Sequence, residues 1–378
     1  METITAVRSS QVQASPRSRW TFVEIATSAG HIGLGEASLH YGEDEILAHV
    51  SRLAGALQGR PATVRSMPGL MAETASLPEA AATCAIDQAL FDLEAQCSGR
   101  PIAALLDAAP RTEIAMYANI NRRTVDRTPA GFAMSAAVAV QAGMKAIKIA
   151  PFDRVRPHMS RVEAAPRLAV AFERIAAVRE AIGPDCLLMV DCHWRLNAGM
   201  VDDVVREAAK NTLFWIETPF AEEPEWFDAI RALRGRANDL GVRIAGAELK
   251  VNLAGFAPII DAGLYDVIMP DMTFVGGYAA FMRVAEAAAS AKIQVSPHSP
   301  TGPVCHAHSV QVSAIVPQFL HMEMQFDESP LFAQIVAGAL PLPRNGRIEV
   351  PRDAGLGLRL LPGGGCSAAL PSVLGGVP

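Results

Sequence analysis

The sequence predicts an α/β chain built as a modified TIM barrel, (β/α)7β, behind an N-terminal α+β capping domain. Three observations carry this. Between residues 187 and 271 one arrangement recurs four times: a short apolar run, an acidic residue, then a stretch with helical spacing. The runs LLMVD, LFWIE, RIAGAE and YDVIMPD end at Asp191, Glu217, Glu248 and Asp271, at intervals of 26, 31 and 23 residues. Each interval suits one strand, one helix and two loops. The same rhythm extends over residues 113–335, whereas residues 1–112 read as a meander followed by helices.

Residues 3–12 and 20–27 alternate apolar and polar side chains as strands do, with QASPRS (13–18) as a short loop between them. GHIGLGEA (30–37) turns into a third short strand, its glycines in the wrong order and context for a dinucleotide loop. Helical spacing follows over 43–57 and 78–97; in AIDQALFDLEAQ it places Ile86, Ala89, Leu90 and Leu93 on one face, and Gly99 and Pro101 close the helix. The barrel strands are EIAMYANI, GMKAIKIAPF, CLLMVDCHW after a helix at 163–182, LFWIETPF, RIAGAELK, YDVIMPDM, KIQVSPHS and FLHMEMQF. Eight strands and seven intervening helical stretches imply a barrel with no helix after its last strand. Residues 336–378, rich in Gly and Pro, are expected to return to the capping domain, with roughly the last fifteen disordered.

Composition narrows the function. With 378 residues, half of them hydrophobic, the chain can bury a barrel core and a smaller one beside it. A net charge of −6 gives no electrostatic reason to bind nucleic acid or an anionic membrane. Cys84, Cys97, Cys186, Cys192, Cys305 and Cys366 form no CxxC pair and read as reduced, small apolar residues. The N-terminus lacks a signal-peptide core and no uncharged apolar run approaches the roughly 20 residues of a spanning helix. A soluble, cytoplasmic protein is expected.

Apolar runs of this kind are parallel strands buried on both faces, so their terminal acids share the C-terminal edge of the sheet, where such barrels keep their active sites. Carboxylates converging there repel one another unless a cation neutralises them. Oxygen-only ligation favours Mg²⁺ over Zn²⁺, with Mn²⁺ possible. The competing explanation is that each acid caps the next helix, but Glu is a poor N-cap and the fourfold recurrence favours a shared site. Strand alternation turns Lys148 to the face of Ala146 and Ala150, and Asp191 to that of His193. Asp271 and His298 end adjacent strands and can meet, an arrangement that makes a general base. His321 and Glu323 share a face, with Glu323 nearer the mouth. Weaker candidates are His306 and His308, for which a structural role is expected, and Asn119, Asn121, Arg122, Arg123 and Lys250 at the rim.

The chain resembles the mandelate racemase subgroup of the enolase superfamily, over nearly its whole length. The pieces that carry the resemblance are AIDQALFDLEAQCSGRP, VDCH, WIETP, GAELK, MPDMTFVGG and SPHSPTGP. The resemblance implies that Asp191, Glu217 and Glu248 are metal ligands, that Asp271 and His298 form a His-Asp dyad, and that Glu323 hydrogen-bonds the developing enolate. It also implies a homo-oligomer. The racemases of the subgroup carry Lys-x-Lys where this chain has Lys148 and Ala150, so one base is missing. Asp191-x-His193 and the surroundings of His298 are instead similar to the acid-sugar dehydratases, the galactonate dehydratases in particular.

That resemblance implies Mg²⁺-assisted removal of water from a 2,3-dihydroxy carboxylate, a small molecule, through an enediolate to a 2-keto-3-deoxy acid. His298 takes the proton from C2, His193 protonates the departing hydroxyl, and Lys148 with the metal carries the negative charge. Two further enzymatic readings stay open, a racemase or epimerase acting beside the carboxylate and a dehydratase of a hydroxylated amino acid. A barrel that binds without chemistry rests on Ala150 alone, against five other intact polar positions.

Overall fold

The computed structural model describes residues 2–67, 76–107 and 109–362; Cys366 and the end of the C-terminal segment lie outside the described residues. The chain opens with strands β1 (Ile4–Ser15), β2 (Ser18–Thr27) and β3 (Ile32–Glu36), paired antiparallel in that order. The expected loop at 13–18 is shorter than the alternation implied. Gln13 pairs with Arg19 and Ser15 with Ser18, which leaves a two-residue hairpin turn, because polar side chains do not break a strand whose backbone bonds continue.

Helices α1 (Glu43–Leu57), α2 (Leu77–Ser98) and α3 (Ile102–Leu106) complete this unit. α2 starts with a capping box, Ser76 with Glu79, and stops at Gly99, whose φ of 65° is the left-handed conformation of a helix C-terminus. The glycines of GHIGLGEA serve packing. A Cβ on Gly33 would lie 2.1 Å from the Ala89 carbonyl oxygen and one on Gly35 1.9 Å from that of Ala85, so β3 lies directly on α2.

From residue 113 strand and helix alternate: β4 (Glu113–Asn119), α4 (Pro129–Gln141), β5 (Ala146–Ile149), α5 (Arg161–Ile182), β6 (Leu187–Asp191), α6 (Val201–Lys210), β7 (Trp215–Glu217) and α7 (Phe227–Asn238). Then come β8 (Arg243–Gly246), α8 (Asn252–Asp261), β9 (Val267–Ile268), α9 (Gly277–Ser290), β10 (Gln294–Val295), α10 (Pro303–Ser313) and β11 (Met322–Gln325). The eight strands are parallel neighbours, with β11 beside β4. The ring is closed at β10 by backbone bonds from Val295 to Gln318 and from Leu320 to Val295. This is the (β/α)7β barrel that the sequence predicted.

Inside it, Tyr117, Ala146, Met189, Trp215, Ala245 and Val267 pack as one apolar layer. A strand repeats its facing every two residues, so the layer above it holds Asn119, Lys148, Asp191 and Glu217. The polar layer is therefore set by the register of four consecutive strands. No helix among the described residues is long and apolar enough to cross a membrane.

The chain ends with α11 (Leu331–Gln334), β12 (Val336–Gly338), β13 (Arg347–Glu349) and β14 (Leu358–Leu360). β13 pairs with β4, and the Leu356 N–H donates to Asp92 of α2, so this segment touches the barrel and the N-terminal unit alike. α2 also reaches the barrel directly. Gln88 donates to the Met272 carbonyl, and Asp87 accepts the Tyr278 N–H at the start of α9.

Candidate active site

Asp191, Glu217 and Glu248 are all buried, and one oxygen from each lies within 4.8 Å of the others. Asp191 and Glu217 are there by register, for they pair directly across β6 and β7. Glu248 arrives differently. β8 ends at Gly246, and Ala247 adopts a φ of 69°, so Glu248 is re-aimed by a left-handed residue that period-two counting does not anticipate.

Positive charge compensates these acids. The Lys148 ammonium sits 2.5 Å from Glu217 and 3.0 Å from Glu323, with both of the carboxylates and the lysine out of solvent. Burial alone would discharge Lys148, but the two carboxylates overrule it and hold its pKa above the ordinary range. Asp191 accepts the His193 N–H and the Thr218 hydroxyl on one oxygen, and meets His193 Nε2 at 2.8 Å on the other. His193 (φ 47°) curls back toward Asp191 past the end of β6, its ring facing the cleft. Desolvation works against its charge and Asp191 outweighs it, so the His193 pKa is raised.

Crowding without solvent splits the three acids: His193 and Lys148 overcome burial at Asp191 and hold it below the usual carboxylate range, whereas the two glutamates favour protons. Burial first, then the neighbouring acids, push Glu217 and Glu248 above the usual carboxylate range, with Lys148 and His298 opposing. Among the described residues no donor meets Glu248 Oε2, although it is buried. An unpartnered carboxylate oxygen beside two further buried acids is a donor set suited to a hard divalent cation, so the residues fit such an ion. A second group with ligand chemistry, Glu2, His31 and Cys97, is found on the capping domain and lines no part of the cleft.

On the other side, His298 Nδ1 lies 2.7 Å from Asp271, and Asp271 also accepts the Thr273 N–H. That leaves Nε2 facing Glu248 at 4.0 Å and Glu323 at 3.7 Å. Burial lowers the His298 pKa, but Glu248, Glu323 and Asp271 together raise it to about 10. Glu323 is itself fixed by the Asn119 amide at 2.6 Å and the Ser299 N–H at 3.1 Å.

These groups lie at the bottom of a cleft of about 1200 Å³ between the barrel mouth and the capping domain. Asp191, His193, Glu248, Asp271 and His298 line it, with Asn119, Asn121 and Arg122; Lys148, Glu217 and Glu323 sit beneath its floor. Lys250 turns away to Glu222 at 3.4 Å, and Arg123 pairs with Asp327. His306 bonds the Pro341 carbonyl, and His308 bonds Tyr278 and the Leu34 carbonyl, so both are structural.

Beyond the rim candidates, which include Arg122, several residues in or beside the cleft were missed from the sequence, His40, Ser18 and Glu328 among them. Arg122 joins Glu328 to His40 of the capping domain, and Ser15 and Ser18 at the hairpin turn bond the same Glu328. Arg127, Asp153, Arg174 and Arg195 form the wall beyond β5. Of these only Asp153 lies in PFDRVRP, and the three arginines come from separate segments that share no local signal.

Comparisons with known proteins match both parts of the chain to family models. The family described as mandelate racemase / muconate lactonizing enzyme, N-terminal domain, matches residues 4–107, and that described as enolase C-terminal domain-like matches residues 132–363. A D-gluconate dehydratase of Thermoproteus tenax is 30% identical over 352 residues, covering 90% of this chain and 68% of the relative. A D-galactonate dehydratase of Klebsiella pneumoniae is 26% identical, covering 79% of this chain and 76% of the relative. In fold the chain resembles the crystal structure of a member of the enolase superfamily from Salmonella Typhimurium, with a TM-score of 0.84 at 22% identity, covering 98% and 99% of the two chains.

Proposed function

The chain belongs to the enolase superfamily, in its mandelate racemase subgroup, and from that premise we propose that it is a hydro-lyase that dehydrates an acid sugar, a 2,3-dihydroxy carboxylate, to a 2-keto-3-deoxy acid. The observation that carries this reading is the His298–Asp271 pair set beside the three buried acids. The dehydratase names of the Thermoproteus and Klebsiella relatives support it.

Asp191, Glu217 and Glu248 would hold the metal, Mg²⁺ in our reading, whose charge makes a proton beside a carboxylate removable. His298 takes that proton at Nε2, because Asp271 occupies Nδ1 and fixes both ring and tautomer. Lys148 supplies a fixed positive charge beneath the reacting carbons, and Glu323, held as a carboxylate by Lys148 and the Asn119 amide, keeps that ammonium in place. His193, its ring facing the cleft, gives its proton to the departing C3 hydroxyl, which leaves as water. The enol that remains tautomerises to the keto acid.

A racemase or epimerase would use His193 as the group opposite His298. A screen of acid sugars with Mg²⁺, scored by mass for loss of water and by semicarbazide for a keto acid, decides between them. Water loss supports the dehydratase. Deuterium uptake at C2 with inversion and no water loss rejects it.

A further inference from the structure

The wall of the cleft beyond β5 is strongly cationic. Arg127 meets the Asp153 carboxylate through Nε at 2.9 Å and through its terminal nitrogen at 2.6 Å, and Arg174 adds a third contact at 3.0 Å. Arg195 donates to the Asp153 carbonyl at 2.8 Å, and Arg154 lies exposed on the same wall. Two guanidiniums thus share the Asp153 carboxylate, a third takes the backbone carbonyl of the same residue, and a fourth stands exposed beside them. Arg174 Nε is buried and, among the described residues, meets no acceptor, and Asn121 Nδ2 on the same wall is a second buried donor with none. Arginine planes crowded in this way repel one another and call for more negative charge than Asp153 provides. Burial first, and then neighbouring guanidiniums, pull Arg174 and Arg195 below their ordinary pKa.

The position of this patch relative to the reacting end is defined by the chain. Arg127 also donates to the Ala150 carbonyl at 2.7 Å, and Ala150 lies two residues past Lys148. At a rise of about 3.3 Å per residue, the patch begins roughly 7 Å further along the strand than Lys148. A group held there belongs to the far end of the substrate. Ala150, with its short side chain, lines the cleft between the two ends.

We propose that the substrate carries a second anionic group, a carboxylate or a phosphate at the end of its chain remote from the reacting carbons, held by Arg154, Arg174 and Arg195 against the Asp153 wall. This rests on the acid-sugar reading for the near end of the substrate. Relatives named for gluconate and galactonate act on acids with a neutral far end, so the proposal separates this chain from them.

The test compares matched acid sugars that end in hydroxymethyl, carboxylate or phosphate, assayed with the Mg²⁺-loaded full-length enzyme. Members with a charged end should exceed their neutral counterparts by about tenfold or more in kcat/KM, the difference between the two charged ends naming the group. Arg195→Gln and Arg154→Gln should raise KM for the charged members alone, with kcat nearly unchanged. Equal turnover of neutral and charged members, or a loss that falls on both alike, overturns the proposal. Absence of turnover with any acid sugar would refute the dehydratase and not this site. Binding of inert dicarboxylates and monocarboxylates of matched length, followed by calorimetry with Mg²⁺ present, then decides. Tighter binding of the dicarboxylate, lost in Arg195→Gln, supports the site, and equal binding rejects it.

Discussion

Glu222 accepts the backbone N–H of Ala247 at 2.7 Å, one residue before Glu248. The same oxygen accepts the Tyr265 hydroxyl at 2.8 Å, and Lys250 pairs with the other oxygen. A left-handed alanine is held in place by a buried carboxylate, and the turn it makes aims the third acid of the trio. Replacing Glu222 by Gln keeps the shape and the acceptor facing Ala247; Glu222→Ala removes both. Mg²⁺ affinity should fall by about tenfold to a hundredfold in Glu222→Ala and less in Glu222→Gln, read by calorimetric titration. Unchanged affinity in the alanine variant would remove Glu222 from this role.

His298→Asn retains an amide near Asp271 and loses the base. Turnover should drop by at least about 10²–10⁴-fold, while Mg²⁺ binding persists, because His298 lies 4.0 Å from Glu248 and supplies none of its oxygens. Retained activity would assign the proton transfer elsewhere.

The His298 pKa, raised to about 10, reflects a ring beside Glu248, Glu323 and Asp271 with no cation at the trio. The sign follows from those charges: carboxylates favour the imidazolium, and a cation at the trio opposes it. Adding Mg²⁺ should therefore lower the His298 pKa, bringing a neutral, basic ring into the working range. Titration of the ring by NMR with and without Mg²⁺ measures this, and a pKa that stays or rises contradicts it.

Glu36 of β3 accepts three backbone N–H groups at the start of α10, those of Gly302 at 2.6 Å, Val304 at 3.1 Å and Cys305 at 2.9 Å. Removing this acceptor leaves buried donors unmet, so Glu36→Ala should destabilise the fold by about 3 kcal/mol. Burial pushes the carboxyl up to about 7 against the opposing hydrogen bonds. A group whose pKa is raised on folding binds its proton more tightly in the folded state. Its contribution is complete below the unfolded value and declines as pH rises through the folded one. In urea titrations wild type should lose stability relative to the non-titrating Glu36→Gln from about pH 5 to about pH 8. A gain over that range would reverse the assignment.

The barrel was legible in the sequence because each parallel strand is a continuous apolar run, and Asp191 and Glu217 because each ends such a run. Alternation also placed Lys148 correctly on the inner face, though not its depth: it lies under the cleft floor, between Glu217 and Glu323. The conformations of His193 and Ala247 were beyond reach, since a positive φ in a non-glycine residue is imposed by tertiary contacts such as Glu222. The Arg127–Asp153 pair and the contact of Ser15 and Ser18 with Glu328 escaped for a related reason. They join segments far apart in the chain, and no local period records them.

The most direct test is a crystal grown with Mn²⁺ and measured for anomalous scattering. The account predicts one strong peak bound by Asp191, Glu217 and Glu248 together. No peak at those side chains, or a peak only at Glu2, His31 and Cys97, would contradict it.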